Sequence, residues 1–339
     1  MLASVRAVIA AAVLAATAAP SLAQELTLRV ADFYPVGHKT PEYATKFWME
    51  EVTRLTGGKV KFEYYPAEQL GKAKDLMSLA VSGVTDVAGF GTSYVSEKMP
   101  LSAVAELPGG ASTSCGGTLA YWKLATSGPL HDAEYAPNGV RLLFVVVNPP
   151  FQLYLTRDSL ASAADIAGLK IRTTGGAQDA TIRQLKGVPV RMAGPEIYEA
   201  LSRGTMDGIL FPVTSLFSYE LQKLVKVGTF DQNFGSGVLP YAISETRWQS
   251  LPEDVRKAML EAGEAATRRA CGLIDKDAEP VMAKLKEAGV NLVSLGAEAE
   301  AEIQKELAVV SGEWAANLDK AGKPGTPILE AFRQALAGQ

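Results

Sequence analysis

The sequence predicts an α/β protein of two similar lobes, with a long helix in its last third bracing both. Three observations carry this reading. Apolar residues run in a β-α-β-α-β order over residues 26–89, alternating in twos and then recurring at helical spacing. The same kind of alternation returns over residues 141–211. A long amphipathic stretch, residues 252–286, follows.

The elements follow in order. Residues 26–31 alternate and read as the first strand. Thr40-Pro41 opens a helix, with Thr40 as N-cap and Pro41 in the first turn. Ala44, Phe47, Trp48, Val52 and Leu55 share one face, which places Trp48 in the core, and Gly57-Gly58 stops the helix. Val60, Phe62 and Tyr64 mark a second strand, residues 72–82 a second helix and residues 86–89 a third strand. Such an order predicts a mostly parallel sheet covered on both faces by helices. In the second half, residues 141–147, 152–156, 169–172, 188–191 and 208–211 read as strands, and 177–185 and 196–202 as helices. Pro280 kinks or divides the long helix. A short strand (291–295) and a further helix (297–318) come after it.

One local signature occurs in both halves. Gly83-Val84-Thr85-Asp86 and Gly204-Thr205-Met206-Asp207 each join a helix to a strand. Glycine stops the helix, and aspartate can bond nearby backbone amides. This duplication favours two lobes; one larger sheet is the alternative. A cleft between two lobes is a favoured place for a ligand.

Composition narrows the class. With 47% apolar and 21% charged residues the chain is a folded protein, not a disordered one. Its net charge is −4 and it has no block of five or six basic residues, so neither nucleic acid nor an anionic membrane is an expected partner. Residues 1–23 stand apart. One arginine, a short run of small apolar residues and Pro20-Ser21-Leu22-Ala23 form the layout of a secretory signal peptide, cut after Ala23. A membrane anchor fits less well, because the apolar run is short. Cys115 and Cys271 can pair in an oxidising compartment or remain two buried thiols. No C-x-x-C occurs and there are only two histidines, so a dedicated metal site is not expected and no cofactor is implied.

Hydrolase and nucleotide-binding motifs are also absent: no G-x-S-x-G, H-E-x-x-H, P-loop or G-x-G-x-x-G after a strand. Arg172 stands out instead. It ends a strand, at the mouth of an α/β sheet where ligands bind. The Thr173-Thr174-Gly175-Gly176 loop follows and leads into a helix N-terminus, a setting that favours anions and makes Thr174 a further candidate contact. The planar fork of a guanidinium matches a carboxylate, although an ordinary surface arginine is the plainer alternative on spacing alone.

The residues around Arg172 change that balance. Gly168-Leu169-Lys170-Ile171-Arg172 resembles the G-L-K-[IVL]-R strand of the solute-binding proteins of TRAP transporters, the DctP-type family. Glu196-Ile197-Tyr198-Glu199-Ala200-Leu201 with Gly204 and Asp207-Gly208 is similar to the family's next segment. So are Thr56-Gly57-Gly58-Lys59-Val60, Gln69-Leu70-Gly71 and Trp248-Gln249-Ser250-Leu251-Pro252. The likeness extends from about residue 26 into the long helix. It implies a two-lobed, periplasmic-binding-protein-like clamp that closes over a small organic acid and does no chemistry itself. It also implies that Arg172 forms the salt bridge to the ligand carboxylate, and that integral membrane subunits of a transporter are the partners. The expected lobes are residues 24–149 with about 237–280, and 150–236 with about 281–339. A periplasmic ligand sensor serving a sensor kinase is the competing class, and a secreted enzyme a third.

Two departures bear on the ligand. Where many members carry a second arginine, this chain has Phe151-Gln152-Leu153. Where many read D-G-x-E-N-P, it has Asp207-Gly208-Ile209-Leu210-Phe211-Pro212, so Phe211 replaces an asparagine that touches the ligand. A second carboxylate would lack a counter-charge, and burying it unpaired is costly. The expected ligand is a monocarboxylate with an aromatic or apolar body, such as a 2-hydroxy or 2-oxo acid; a C4-dicarboxylate is the alternative. Gln152 and Phe211 are candidate contacts, as are Phe33, His38, Thr92 and Phe234, each with loop packing as the competing role. His38 could donate to a hydroxyl or oxo oxygen.

Overall fold

A computed structural model describes residues 25–338; the expected signal peptide lies outside them. Eleven strands among the described residues form two sheets. They are β1 (Leu26–Ala31), β2 (Val60–Tyr65), β3 (Val87–Gly89), β4 (Val140–Val147), β5 (Gln152–Leu155) and β6 (Lys170–Thr173), then β7 (Val188–Arg191), β8 (Gly208–Phe211), β9 (Val227–Thr229), β10 (Val238–Ser244) and β11 (Asn291–Val293). The first sheet has the order β2-β1-β3-β10-β4 and the second β11-β9-β5-β8-β6-β7. The two-lobed α/β expectation is borne out. Both sheets are mixed rather than mostly parallel, because β10 runs antiparallel to β3 and β4, and β5 antiparallel to β8 and β9. Strand β10 returns to the first sheet after the second has formed, so the chain crosses between lobes more than once.

The helices are α1 (Lys46–Leu55), α2 (Leu76–Val81), α3 (Ser114–Thr126), α4 (Ala177–Gln184), α5 (Ile197–Ser202), α6 (Glu245–Ser250), α7 (Glu253–Glu287), α8 (Gly296–Lys320) and α9 (Gly325–Ala337). A π-helical turn, Pro41–Thr45, leads into α1. Thr40 does not cap it: its backbone is already helical and its side chain makes no capping bond. Trp48 is fully buried, and its indole N–H reaches the Met259 carbonyl of α7 at 3.1 Å.

Helix α7 spans 35 residues, or about 50 Å at 1.5 Å per residue. From Val255 to Ile274 its apolar face packs with Trp48 and Phe144 in the first core. Leu285, with Ala278, Val281 and Met282, packs with Tyr154 and Ile209 in the second. Pro280 therefore lies inside a continuous helix and does not divide it. Gly263 lets α7 cross β4 closely, since a Cβ there would stand 1.9 Å from the Leu143 carbonyl oxygen. The two cysteines form a disulfide that ties the first turn of α3 to the middle of α7. Beside it, Asp275 of α7 accepts the N–H groups of Ser114 and Cys115 at 2.7 and 2.9 Å, closing the start of α3. Helix α8 lies against α4, and α9 turns back onto α3.

Candidate functional site

The site starts from β6. Asp207 accepts the N–H of Lys170 at 2.7 Å and donates its own N–H to the Lys170 carbonyl at 2.8 Å. This fixes the strand that carries Arg172 to the sheet mouth. Arg172 is only 1% exposed, among the largest buried side chains of the protein. Its Nε donates to the Met192 carbonyl at 2.9 Å, Nη1 to the Leu210 carbonyl at 3.3 Å and Nη2 to the Tyr94 hydroxyl at 3.3 Å. The guanidinium also lies 5.5 Å from the centre of the Phe211 ring. All these partners are neutral, and among the described residues no carboxylate pairs with it. Burial pulls its pKa below the ordinary arginine value.

A cavity of about 40 Å³ opens in front of the guanidinium, several times the space one water needs. Both lobes and the crossing segments line it. Phe33, Tyr34 and His38 come from the loop after β1, and Ser93 and Tyr94 from the turn after β3. Thr174 follows β6, while Phe211, Ser215 and Tyr219 follow or end β8. The rings interlock: Tyr34 stacks on His38 at 4.2 Å, Phe33 meets Tyr94 edge-on at 5.5 Å, and Phe211 meets Tyr219 edge-on at 5.5 Å. Thr174 Oγ1 is buried without a hydrogen-bond partner. Burial drives the His38 imidazole down to about 3, so the ring is neutral.

A buried carboxylate supports this loop from below. Asp32 accepts the hydroxyls of Tyr64 and Tyr241, each at 2.7 Å, and the N–H of Tyr34 at 3.1 Å. Burial raises its pKa to about 6 against these three bonds, which lower it.

Of the residues singled out in the sequence, Arg172, Phe211, Thr174, His38 and Phe33 line the cavity together. Three lie elsewhere. The Gln152 amide is occupied, accepting from Thr229 and the Gln232 N–H and donating to the Gln232 carbonyl at 2.6 Å. Thr92 donates to the buried Glu106 at 2.7 Å. Phe234 is fully buried among core side chains. Tyr34, Tyr94, Ser215 and Tyr219 were not singled out. They sit on irregular segments whose direction no sequence period reports, and only their nearness to strand ends offered a signal.

Two sheets bridged by a long helix, with a polar and aromatic cavity between them, are the architecture of a two-lobed binding protein. The chain belongs to the DctP family, bacterial extracellular solute-binding protein family 7, which it matches over residues 33–317. Members of this family are receptors and not enzymes. The C4-dicarboxylate-binding periplasmic protein DctP of Rhodobacter capsulatus is 27% identical, over 95% of this chain and 94% of that protein. A TRAP solute-binding protein from Rhodoferax ferrireducens, solved with copurified benzoate, superposes with a TM-score of 0.85 at 24% identity, covering 92% of this chain and 98% of the other. A marine-metagenome TRAP solute-binding protein specific for aromatic acids, solved with 3-hydroxybenzoate, superposes at 0.87 and 23%, covering 93% and 99%. The resemblance read from the Arg172 segment is borne out at the level of the family. Among the described residues no helix is long and apolar enough to cross a membrane.

Proposed function

We propose that the chain is the extracytoplasmic receptor of a TRAP transporter for a small monocarboxylate with an aromatic or apolar body, anchored by Arg172. The observation that carries this is a fully buried guanidinium with only neutral partners, facing a cavity walled by rings. A buried cation without a counter-ion is unfavourable, and a ligand carboxylate relieves that cost. Among the described residues no other cationic side chain lines the cavity once His38 is neutral, so a second carboxylate would stay unpaired. The free hydroxyl of Thr174 offers the carboxylate a further donor. Benzoate and 3-hydroxybenzoate in two structural relatives support this reading. The Rhodobacter relative keeps a C4-dicarboxylate as the alternative.

On this reading the chain is exported to the periplasm, with cleavage after Ala23, and hands its ligand to integral membrane subunits. The lobes divide as residues 24–149 with about 237–280, and 150–236 with about 281–339. The sheet membership of β10 and β11 supports that division, while α9 packs back on the first lobe. Thermal shifts of the mature protein against aromatic monocarboxylates, C4-diacids and sugar acids test the proposal. A ligand at a hundred times its Kd adds about 2.7 kcal/mol of stability. The expected result is a monocarboxylate hit that Arg172→Ala abolishes. A diacid that binds far more tightly would overturn the specificity, and a hit unaffected by Arg172→Ala would overturn the anchor.

A further inference from the structure

We propose that His38 and Ser215 form a reader that spans the cleft, recognising a second ligand oxygen and favouring acids whose body carries a hydroxyl or oxo group. The proposal rests on Arg172 holding the carboxylate. Its basis is a tautomer fixed by the backbone. The Thr40 N–H lies 3.1 Å from His38 Nδ1. An N–H only donates, so Nδ1 presents its lone pair, and the proton of a neutral ring sits on Nε2. Burial keeps the ring neutral, so this donor persists through the ordinary pH range.

The Nε2–H stands 3.1 Å from Ser215 Oγ. His38 hangs from the loop after β1 in the first sheet, and Ser215 ends a 3₁₀ turn after β8 in the second. Both side chains line the cavity. Stacking on Tyr34 at 4.2 Å and the edge of Tyr219 at 5.6 Å holds the imidazole in place. Among the described residues His38 is the only hydrogen-bond partner of Ser215 Oγ, whose own proton can turn toward a ligand. Together the pair offers one fixed donor and one group able to donate or accept.

The pair's mutual bond sets the size of the effect. When a ligand lacks the second oxygen, Ser215 Oγ still accepts the His38 Nε2–H, and only the Ser215 proton goes without an acceptor. Discrimination is then that of about one neutral hydrogen bond, roughly tenfold, and not the far larger penalty of an unpaired buried group.

Calorimetric titration of the mature protein with matched acids tests this: benzoate against its three hydroxybenzoates, and phenylacetate against mandelate and phenylglyoxylate. The expected result is about a tenfold preference for at least one oxygen-bearing member over its parent. The double variant His38→Phe/Ser215→Ala should bring the ratio of the two dissociation constants close to one, whereas Ser215→Ala alone leaves the Nε2–H without its protein partner and should widen the ratio. Ser215→Ala keeps the test alive if the double variant fails to fold. Equal affinity for parents and derivatives in the natural protein, a preference that survives the double variant, or one that vanishes in Ser215→Ala would overturn the reader while leaving the Arg172 anchor intact. No binding by any acid in the set would overturn the receptor reading and this inference with it.

Discussion

In the first lobe Asp86 accepts the N–H of Arg29 at 2.7 Å and donates its own N–H to the Arg29 carbonyl at 3.0 Å. Asp207 makes the same pair of bonds with Lys170 in the second lobe. Gly83 and Gly204, both at positive φ, end the helices just before. Register follows from the junctions: Ala31 sits opposite Ala88 in β3, as Arg172 sits opposite Ile209 in β8. The second lobe therefore places a buried guanidinium where the first places a methyl group. One frame, used twice, brings two strand ends to the cleft, and the charge belongs to one copy only. The repeat explains why there is a site; the departures from the repeat explain what it can hold.

Three experiments break or sharpen this comparison. The largest effect is expected from the disulfide, which cross-links only the first lobe and α7. Replacing Cys115 and Cys271 with serine should cost about 2–5 kcal/mol in denaturant unfolding. Hydrogen exchange should quicken around α3 before it does in the second sheet. Uniform loss of protection in both lobes would show that they unfold as one unit.

Next come the two junctions. Asp86 also pairs with Arg247 at 2.7 Å, whereas Asp207 makes no ion pair among the described residues. Asp86→Ala should cost about 1–3 kcal/mol and Asp207→Ala the lower end of that range. A reversed order in urea unfolding would mean that the Arg247 pair adds nothing to the first junction.

The smallest effect is on pH dependence. Burial raises Asp32 to about 6, and Glu106 and Glu134 to about 7, all three in the first lobe. Each folded value lies above the ordinary carboxyl value of 3.8 or 4.5, so folding favours the protonated form. That stability is complete below about pH 4 and is lost as pH rises through 6 to 7. His38 acts in the opposite sense, with a folded value of about 3 against 6.5, and its contribution is lost as pH falls below 6.5. Above pH 6.5 only the carboxyls act. The melting temperature should fall between pH 6.5 and 8, and Glu106→Gln should flatten that limb. An unchanged slope in Glu106→Gln would show that this carboxyl is not the source.

The frame was legible because its signature is local, a glycine that stops a helix with an aspartate three residues later, occurring in both halves. The amides those aspartates bind, of Arg29 and Lys170, lie 57 and 37 residues away and were not legible. A strand end at the sheet mouth only suggested Arg172; the resemblance of its segment to the DctP-type pattern made it legible, and Phe211 was found as a departure from that pattern. Strand β10 was not legible, since Pro240 argues against a central strand, yet β10 lies between β3 and β4. Its Pro240 is tolerated where the register slips, between Tyr241 and Ala242. Thr92 and Gln152 looked available because their partners, Glu106, Thr229 and Gln232, lie 14 or more residues away. The pairing of Cys115 and Cys271 likewise depends on α3 and α7 meeting across a separation of 156 residues.

Helix α7 is clamped unevenly. Up to Asp277 it is held to the first lobe by the disulfide, by Asp275 on α3 and by the Tyr43 hydroxyl on Asp277 at 2.5 Å. From Ala278 onward its contacts belong to the second lobe. Pro280 falls at the start of that second section, and with no N–H it leaves the Lys276 carbonyl without its helical donor. A rod anchored this way bends most easily at the rung it lacks. A swing of one lobe against the other would load that turn of helix first, before the sections of α7 that are packed on either core.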